Sequence, residues 1–162
     1  MSHKKIKGLK ELVEIREKLK RQAKTVVFTN GCFDVLHRGH IECLRKAKSY
    51  GDMLFVGLNS DSSVRKIKGQ GRPIFPQDDR AEILASLEIV DYVVIFNEET
   101  PQKVIAALVP DVLVKGADYR KNEIVGRGIV ESSGGRVVRV RQIPGKSTKN
   151  LIRKIIGRYA KS

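Results

Sequence analysis

Thr25-Val26-Val27-Phe28-Thr29-Asn30-Gly31-Cys32-Phe33-Asp34-Val35-Leu36-His37-Arg38-Gly39-His40 is the stretch of this 162-residue chain on which its architecture turns. It opens with a short apolar, β-branched run, which predicts a buried strand over 25–30. Beyond it, Ile41, Leu44, Ala47 and Lys48 recur at helical spacing and predict a helix from about Gly39 to Tyr50. The stretch is then a strand-to-helix crossing, with Gly31 and Gly39 where the backbone turns tightly or approaches a ligand. A helix starting there aims its unpaired N–H groups and the positive end of its dipole at the crossing, an anion site before any side chain is counted. His37 and His40, three apart, add two donors on one face of the first turn. The bare chemistry is a phosphate cradle. A single His in a first turn is more often a cap or a packed residue, but a second at this spacing, flanked by glycine, argues for function. Cys32, His37, His40 and Cys43 can also be written as four zinc ligands. Zinc sites usually close two short knuckles, whereas here one Cys falls at a strand end and the other inside a helix, so no protein-held metal is expected.

Hydrophobic content of 41% and charged content of 31% suit a single domain whose core needs no staples. No apolar run approaches the length of a membrane span, and the charged N-terminus lacks a secretory h-region, so no membrane association is expected. Two cysteines without a suggestive spacing fit free thiols in a reducing cytoplasm, the expected compartment. The net charge of +14 raises a nucleic-acid reading, and its location bears on that. Residues 1–24 hold nine Lys/Arg against three Glu, and residues 136–162 hold nine Lys/Arg and no acid. Residues 25–135 hold fourteen basic and fifteen acidic residues, so the surplus is all at the two ends. Charge alone leaves open weak DNA binding, the gathering of phosphorylated substrates, or a lysine-rich exterior. Only 6% of residues are aromatic, and no recognition-helix motif occurs, so a specific nucleic-acid-binding module ranks below an enzyme.

Leu9, Leu12, Val13, Ile15, Leu19 and Ala23, with charges between them, predict an amphipathic helix in residues 1–24 that packs on a domain spanning 25–162. Gly51-Asp52 is a turn, and 53–59 reads as a second strand, completing a β-α-β unit with a right-handed crossover. A polar, basic, glycine-containing segment over 62–71 reads as mobile. A helix over 77–87 carries Asp78 and Asp79 in its first turn, with Arg80 beside them. Residues 90–96, 110–115 and 136–141 read as further strands, the last with the alternating charge of an edge. Helices are expected after Thr100-Pro101, over 122–133, and from Gly145-Lys146-Ser147-Thr148 to the end. The whole is an α/β, Rossmann-like, doubly wound parallel five-stranded sheet with helices on both faces. A G-x-G-x-x-G fingerprint is absent, which disfavours dinucleotide binding. Ligands of such sheets sit beyond the carboxyl ends of the strands, and 30–40, 59–72, 115–119 and 145–148 all fall there. Gly145-Lys146-Ser147-Thr148 is not a P-loop, because Val140 stands where the first glycine is required. Read physically, Ser147 caps the last helix, whose N–H groups and hydroxyls can hold phosphates.

The pattern Gly31-Cys32-Phe33-Asp34-x-Leu36-His37-x-Gly39-His40 resembles the HxGH signature of the nucleotidyltransferase superfamily, and Thr29-Asn30-Gly31-Cys32-Phe33-Asp34 is most similar to its heptose 1-phosphate adenylyltransferases. Lys146-Ser147-Thr148-Lys149 resembles the second superfamily signature, usually ISTT, with Lys149 replacing the final Thr, so only Ser147 and Thr148 carry over. Lys115-Gly116-Ala117-Asp118-Tyr119 is similar to the VKGGDY pattern of the heptose enzymes, with Ala117 in place of a glycine. By resemblance, Asn30, Gly31, Cys32, Phe33, His37, Gly39, His40, Lys115, Gly116, Asp118, Ser147 and Thr148 bind the nucleotide. His37, His40 and Lys48 are the implied catalytic residues, with Lys48 expected on the His face about two turns on. Arg80 matches an arginine that contacts substrate phosphate in glycerol-3-phosphate cytidylyltransferases, and Arg72 is a second candidate for that role.

The resemblance implies transfer of AMP from ATP to D-glycero-β-D-manno-heptose 1-phosphate for lipopolysaccharide core synthesis, by a homodimer, with Mg²⁺ carried on the ATP. Glycerol-3-phosphate cytidylyltransferase and FAD synthetase chemistry share the first signature and remain alternatives. A phosphate dianion is already a nucleophile, so the lack of a Ser-His-Asp set fits.

Overall fold

A computed structural model describes residues 2–117 and 120–160. Consecutive residues Val26, Val27 and Phe28 point alternately to two faces, and all three are fully buried, so the first strand has core on both sides. β1 (Val26–Gly31) pairs in parallel with β2 (Met53–Asn59) and β4 (Val112–Gly116); β3 (Tyr92–Phe96) and β5 (Arg136–Val140) add outside them, also in parallel. The order β3-β2-β1-β4-β5 puts the reversal of winding between β1 and β4. That gap is where doubly wound sheets open a crevice at their carboxyl edge.

One face is covered by α2 (Arg38–Lys48) and α4 (Gln77–Ala85), through Leu44, Ala47, Leu84 and Ala85 against Val27, Leu54, Val56 and Val114. The other carries α1 (Leu9–Arg21), α5 (Gln102–Leu108) and α6 (Arg127–Ser132), through Leu12, Val104, Ile105 and Val130 against Phe28, Phe55 and Leu113. α1 also buries Arg16, which donates to the carbonyls of Leu108 and Val109 at the end of α5 and pairs with Asp111 at 2.9 Å. A short 3-10 turn (Ser2–Lys5) precedes α1, and Ile6 forms a parallel bridge with Val93 at the β3 edge.

Two sequence expectations change. The segment read as mobile contains α3 (Asp61–Lys68), capped by the Ser60 hydroxyl, which accepts from the Ser63 N–H at 3.3 Å. Ser63 and Val64 are fully buried, so tertiary packing holds a helix whose sequence looks mostly polar. The helix expected over 122–133 is only a 3-10 turn (Lys121–Glu123) followed by α6, because Gly126 sits at φ +83° and interrupts it. The last helix, α7 (Thr148–Tyr159), starts at the carboxyl edge and has no buried residue.

Candidate active site

Where β1 turns into α2, two non-glycine residues, Phe33 and Val35, adopt left-handed φ values of 45° and 53°. Such conformations store strain, of order 1–3 kcal/mol each, and persist only where surrounding contacts dictate them. Asp34 supplies those contacts. Its carboxylate accepts from the Arg72 Nε at 2.6 Å and from the N–H groups of Ile74 and Phe75 at 2.8 and 3.0 Å. Burial opposes that charge, but the Phe75 and Ile74 N–H groups and the Arg72 guanidinium outweigh it and hold the carboxyl below its usual range. The Asp34 carbonyl accepts from the Thr148 hydroxyl at 2.8 Å. One residue thus fastens the first signature to the 72–75 segment and to the front of α7.

The two helix fronts meet directly. A Cβ added to Gly39 would lie 3.1 Å from the Lys146 carbonyl oxygen and 2.9 Å from the His37 ring, so only glycine lets these segments pass. His37 is the N-cap of α2, and its Nδ1 accepts from the Gly39 N–H at 3.1 Å. The His40 Nδ1 in turn accepts from the His37 N–H at 3.3 Å. The imidazoles stack with centroids 3.8 Å apart. An imidazole whose Nδ1 accepts carries its proton on Nε2 when neutral, so both rings keep an Nε2–H on the edge away from the helix backbone. Burial, then the neighbouring His37, pushes His40 down to about 4, and burial with the Lys146 charge lowers His37. At neutral pH the pair therefore presents two uncharged donors beside the helix N-terminus.

Around this pair the structure brings together much of what the sequence singled out. Lys115 at the end of β4 donates to the Asn30 side chain at the end of β1. Gly31 abuts the Phe33 ring, which in turn packs 5.4 Å from the His40 ring. The Cys32 thiol is pushed up by burial, against the charges of Lys68, Arg80 and Arg72. Ser147 caps α7 by accepting from the Asn150 N–H, leaving its own O–H to donate. The Thr148 hydroxyl is spent on Asp34, which leaves its backbone N–H among the first-turn groups of α7. Gly116 ends β4 beside the site, while Asp118 lies outside the described residues.

Two of the expected residues are engaged elsewhere in the fold. Lys48 is not on the His face of the site: at about 12 Å further along α2 it binds Asp91 at 2.5 Å and the Asp52 carbonyl at 2.6 Å, at the amino ends of β2 and β3. Arg80 is 1% exposed, and its guanidinium donates to the carbonyls of Phe75, Cys32 and Asn59 and to Asp61. It ties the carboxyl ends of β1 and β2 to α4 and presents no surface to a ligand. Arg72 differs, because only its Nε is engaged and its two terminal nitrogens keep their donors among the described residues. Sequence reasoning missed Asp34, quoted inside the signature without a role, and Lys68 and Lys146, whose charges reach Cys32 and His37. Proximity to the glycine-flanked signatures was the available signal for the two lysines. Among the described residues no group of three or more His, Cys, Asp or Glu side chains is gathered for a metal.

With this geometry in view, residues 28–153 match the cytidylyltransferase-like family. The chain belongs to that family. As a member of this nucleotidyltransferase family it is 55% identical over 155 residues to the bifunctional protein HldE of Geobacter metallireducens, and 54% identical to that of Geobacter sulfurreducens. Each match covers 96% of this chain and 32% of the relative, so the chain spans about a third of the length of the curated relatives it matches. Among solved structures, the lipopolysaccharide core biosynthesis protein from Thermoplasma volcanium is 30% identical with a TM-score of 0.61, over 74% of this chain and 97% of that one. The pantoate-beta-alanine ligase from Francisella tularensis, 19% identical with a TM-score of 0.62 over 97% of this chain and 79% of that one, shares the fold.

Proposed function

We propose that this family member transfers AMP from ATP to D-glycero-β-D-manno-heptose 1-phosphate, giving an ADP-sugar for lipopolysaccharide core synthesis. The observation that carries this reading is the meeting of two helix N-termini at Asp34 and Gly39, with two neutral imidazoles between them. A phosphate oxygen of the acceptor attacks the α-phosphorus of ATP in line; the bond from that phosphorus to the bridging oxygen breaks, and pyrophosphate leaves. The dianion needs no base. The reaction needs charge stabilisation that is already in place.

In this reading the Nε2–H groups of His37 and His40 donate to the phosphate oxygens. Ser147 and the first-turn N–H groups of α7 hold the leaving pyrophosphate. Arg72, clamped at Nε by Asp34, offers its two terminal nitrogens to the acceptor phosphate. Asn30, Gly31, Cys32, Phe33, Gly39, Lys115, Gly116 and Asp118 complete the nucleotide contacts. Mg²⁺ carried with the ATP would supply charge neutralisation on the triphosphate. The 30% identity to the lipopolysaccharide core biosynthesis protein supports a role in lipopolysaccharide core synthesis. A cytoplasmic setting, a homodimer and no specific nucleic-acid partner belong to the same reading.

The test incubates the protein with ATP or CTP and with heptose 1-phosphate, glycerol 3-phosphate or FMN, and assays pyrophosphate. Turnover with ATP and heptose 1-phosphate is the expected result. Turnover with CTP and glycerol 3-phosphate, or with ATP and FMN, would reassign the acceptor. No turnover with any pair, together with steeply salt-dependent DNA binding, would move the protein to another class.

A further inference from the structure

α7 is amphipathic in an unusual way, because its apolar stripe is covered only at its start. Leu151 and Ile152 are half-buried, whereas Ile155, Ile156 and Tyr159 are 48%, 57% and 71% exposed. At about 100° per residue these five side chains fall within an arc of about 140° along one side of the helix. Lys149 and Arg158 then border that arc on its two edges, each about 20° outside it, with Arg153 and Lys154 behind. The helix therefore begins at the candidate site and carries a strip of large, exposed apolar groups edged by cations. Residues 136–162 hold nine Lys/Arg and no acidic residue.

We infer that α7 seats the enzyme on a membrane surface rich in anionic phospholipid. Charge decides among the possible occupants. An α7-to-α7 pairing with a second copy would bring two sets of cations together within a Debye length, with no acid on either helix to answer them. A bilayer interface meets both halves of the pattern: the apolar strip enters the headgroup–acyl boundary, while bordering Lys and Arg side chains snorkel to lipid phosphates. The chain carries no helix long and apolar enough to span a bilayer among the described residues, so the attachment is peripheral and reversible. This inference is independent of which acceptor the pocket uses.

The chain contains no tryptophan, so Tyr159→Trp supplies a single reporter inside the strip. The full chain carrying it is mixed with vesicles of phosphatidylcholine alone or with phosphatidylglycerol, and followed by emission and by co-sedimentation. Blue-shifted emission and co-sedimentation with anionic vesicles only, both weakened by salt, are expected. The charge-preserving pair Ile155→Ser and Ile156→Ser should lower the partition coefficient at least about tenfold, at unchanged turnover and melting temperature. Sedimentation without an emission shift, or partitioning equal in the serine variant, would overturn the inference in favour of plain electrostatic adhesion of a cationic protein. Absence of vesicle binding would overturn it too, as would a dimer in solution that the serine pair dissociates.

Discussion

The two ends of α2 contain similar donors and treat them in opposite ways. At its first turn His37 and His40 satisfy the helix end through Nδ1 and keep Nε2–H in hand. At its last turn Lys48 directs two of its three N–H donors to Asp91 and the Asp52 carbonyl. Arg72 and Arg80 repeat the contrast: Arg72 commits one nitrogen to Asp34, whereas all three nitrogens of Arg80 bond within the fold. At the carboxyl edge His37, His40 and Arg72 keep donors once folding is satisfied, whereas Arg80 at the same edge and Lys48 at the amino edge turn theirs toward partners within the fold. That surplus, more than residue type, distinguishes the residues proposed to bind from those that hold the fold.

The contrast breaks first at Arg80. Arg80→Met should cost about 3–5 kcal/mol in urea denaturation, since it leaves the Asp61 carboxylate and three carbonyls without their partner. A variant with wild-type stability and poor acceptor binding would return Arg80 to the pocket. His40→Ala should lower kcat by about 10²–10³ while the protein stays folded. Normal turnover in that variant would remove the imidazole from the chemistry.

The same residue sets a pH response. The unfolded chain protonates His40 near the ordinary imidazole value of 6.5, but in the folded protein burial pushes it down to about 4. The unfolded state thus binds more protons between those values, and stability should fall as pH drops through that window. Denaturation at several pH values should show a steeper loss in the wild type than in His40→Gln. Arg72→Lys, which keeps the charge but loses the fork, should lower kcat/KM for the acceptor about tenfold. Smallest of all, Lys48→Ala should alter kcat less than about twofold and cost about 1 kcal/mol, as for a partly exposed ion pair. A hundredfold loss of kcat there would restore Lys48 to catalysis.

The fold was legible because alternation of apolar runs with helical spacing is a local property, and both signature segments announce themselves through glycine and cap residues. The roles of Lys48 and Arg80 were not. Lys48 finds Asp91 only because β2 and β3 lie side by side, a juxtaposition 43 residues apart in the chain. Arg80 reads as a polar first-turn residue until the ends of β1 and β2 close over it. For α3, the Ser60-Asp61 cap signal was present, but only Val64 and Ile67 suggested an apolar side. Asp34 shows the same limit inside a recognised motif: its three backbone and side-chain partners lie 38 to 41 residues away.

The bond from the Thr148 hydroxyl to the Asp34 carbonyl spans 114 residues of chain. All five strands precede Thr148 in the chain, the last ending at Val140, so the sheet is complete in sequence before the residue that fastens the front of α7 to it. Removal of the residues from Thr148 onward therefore spares every strand of the sheet while undoing the fastening of α7 to Asp34.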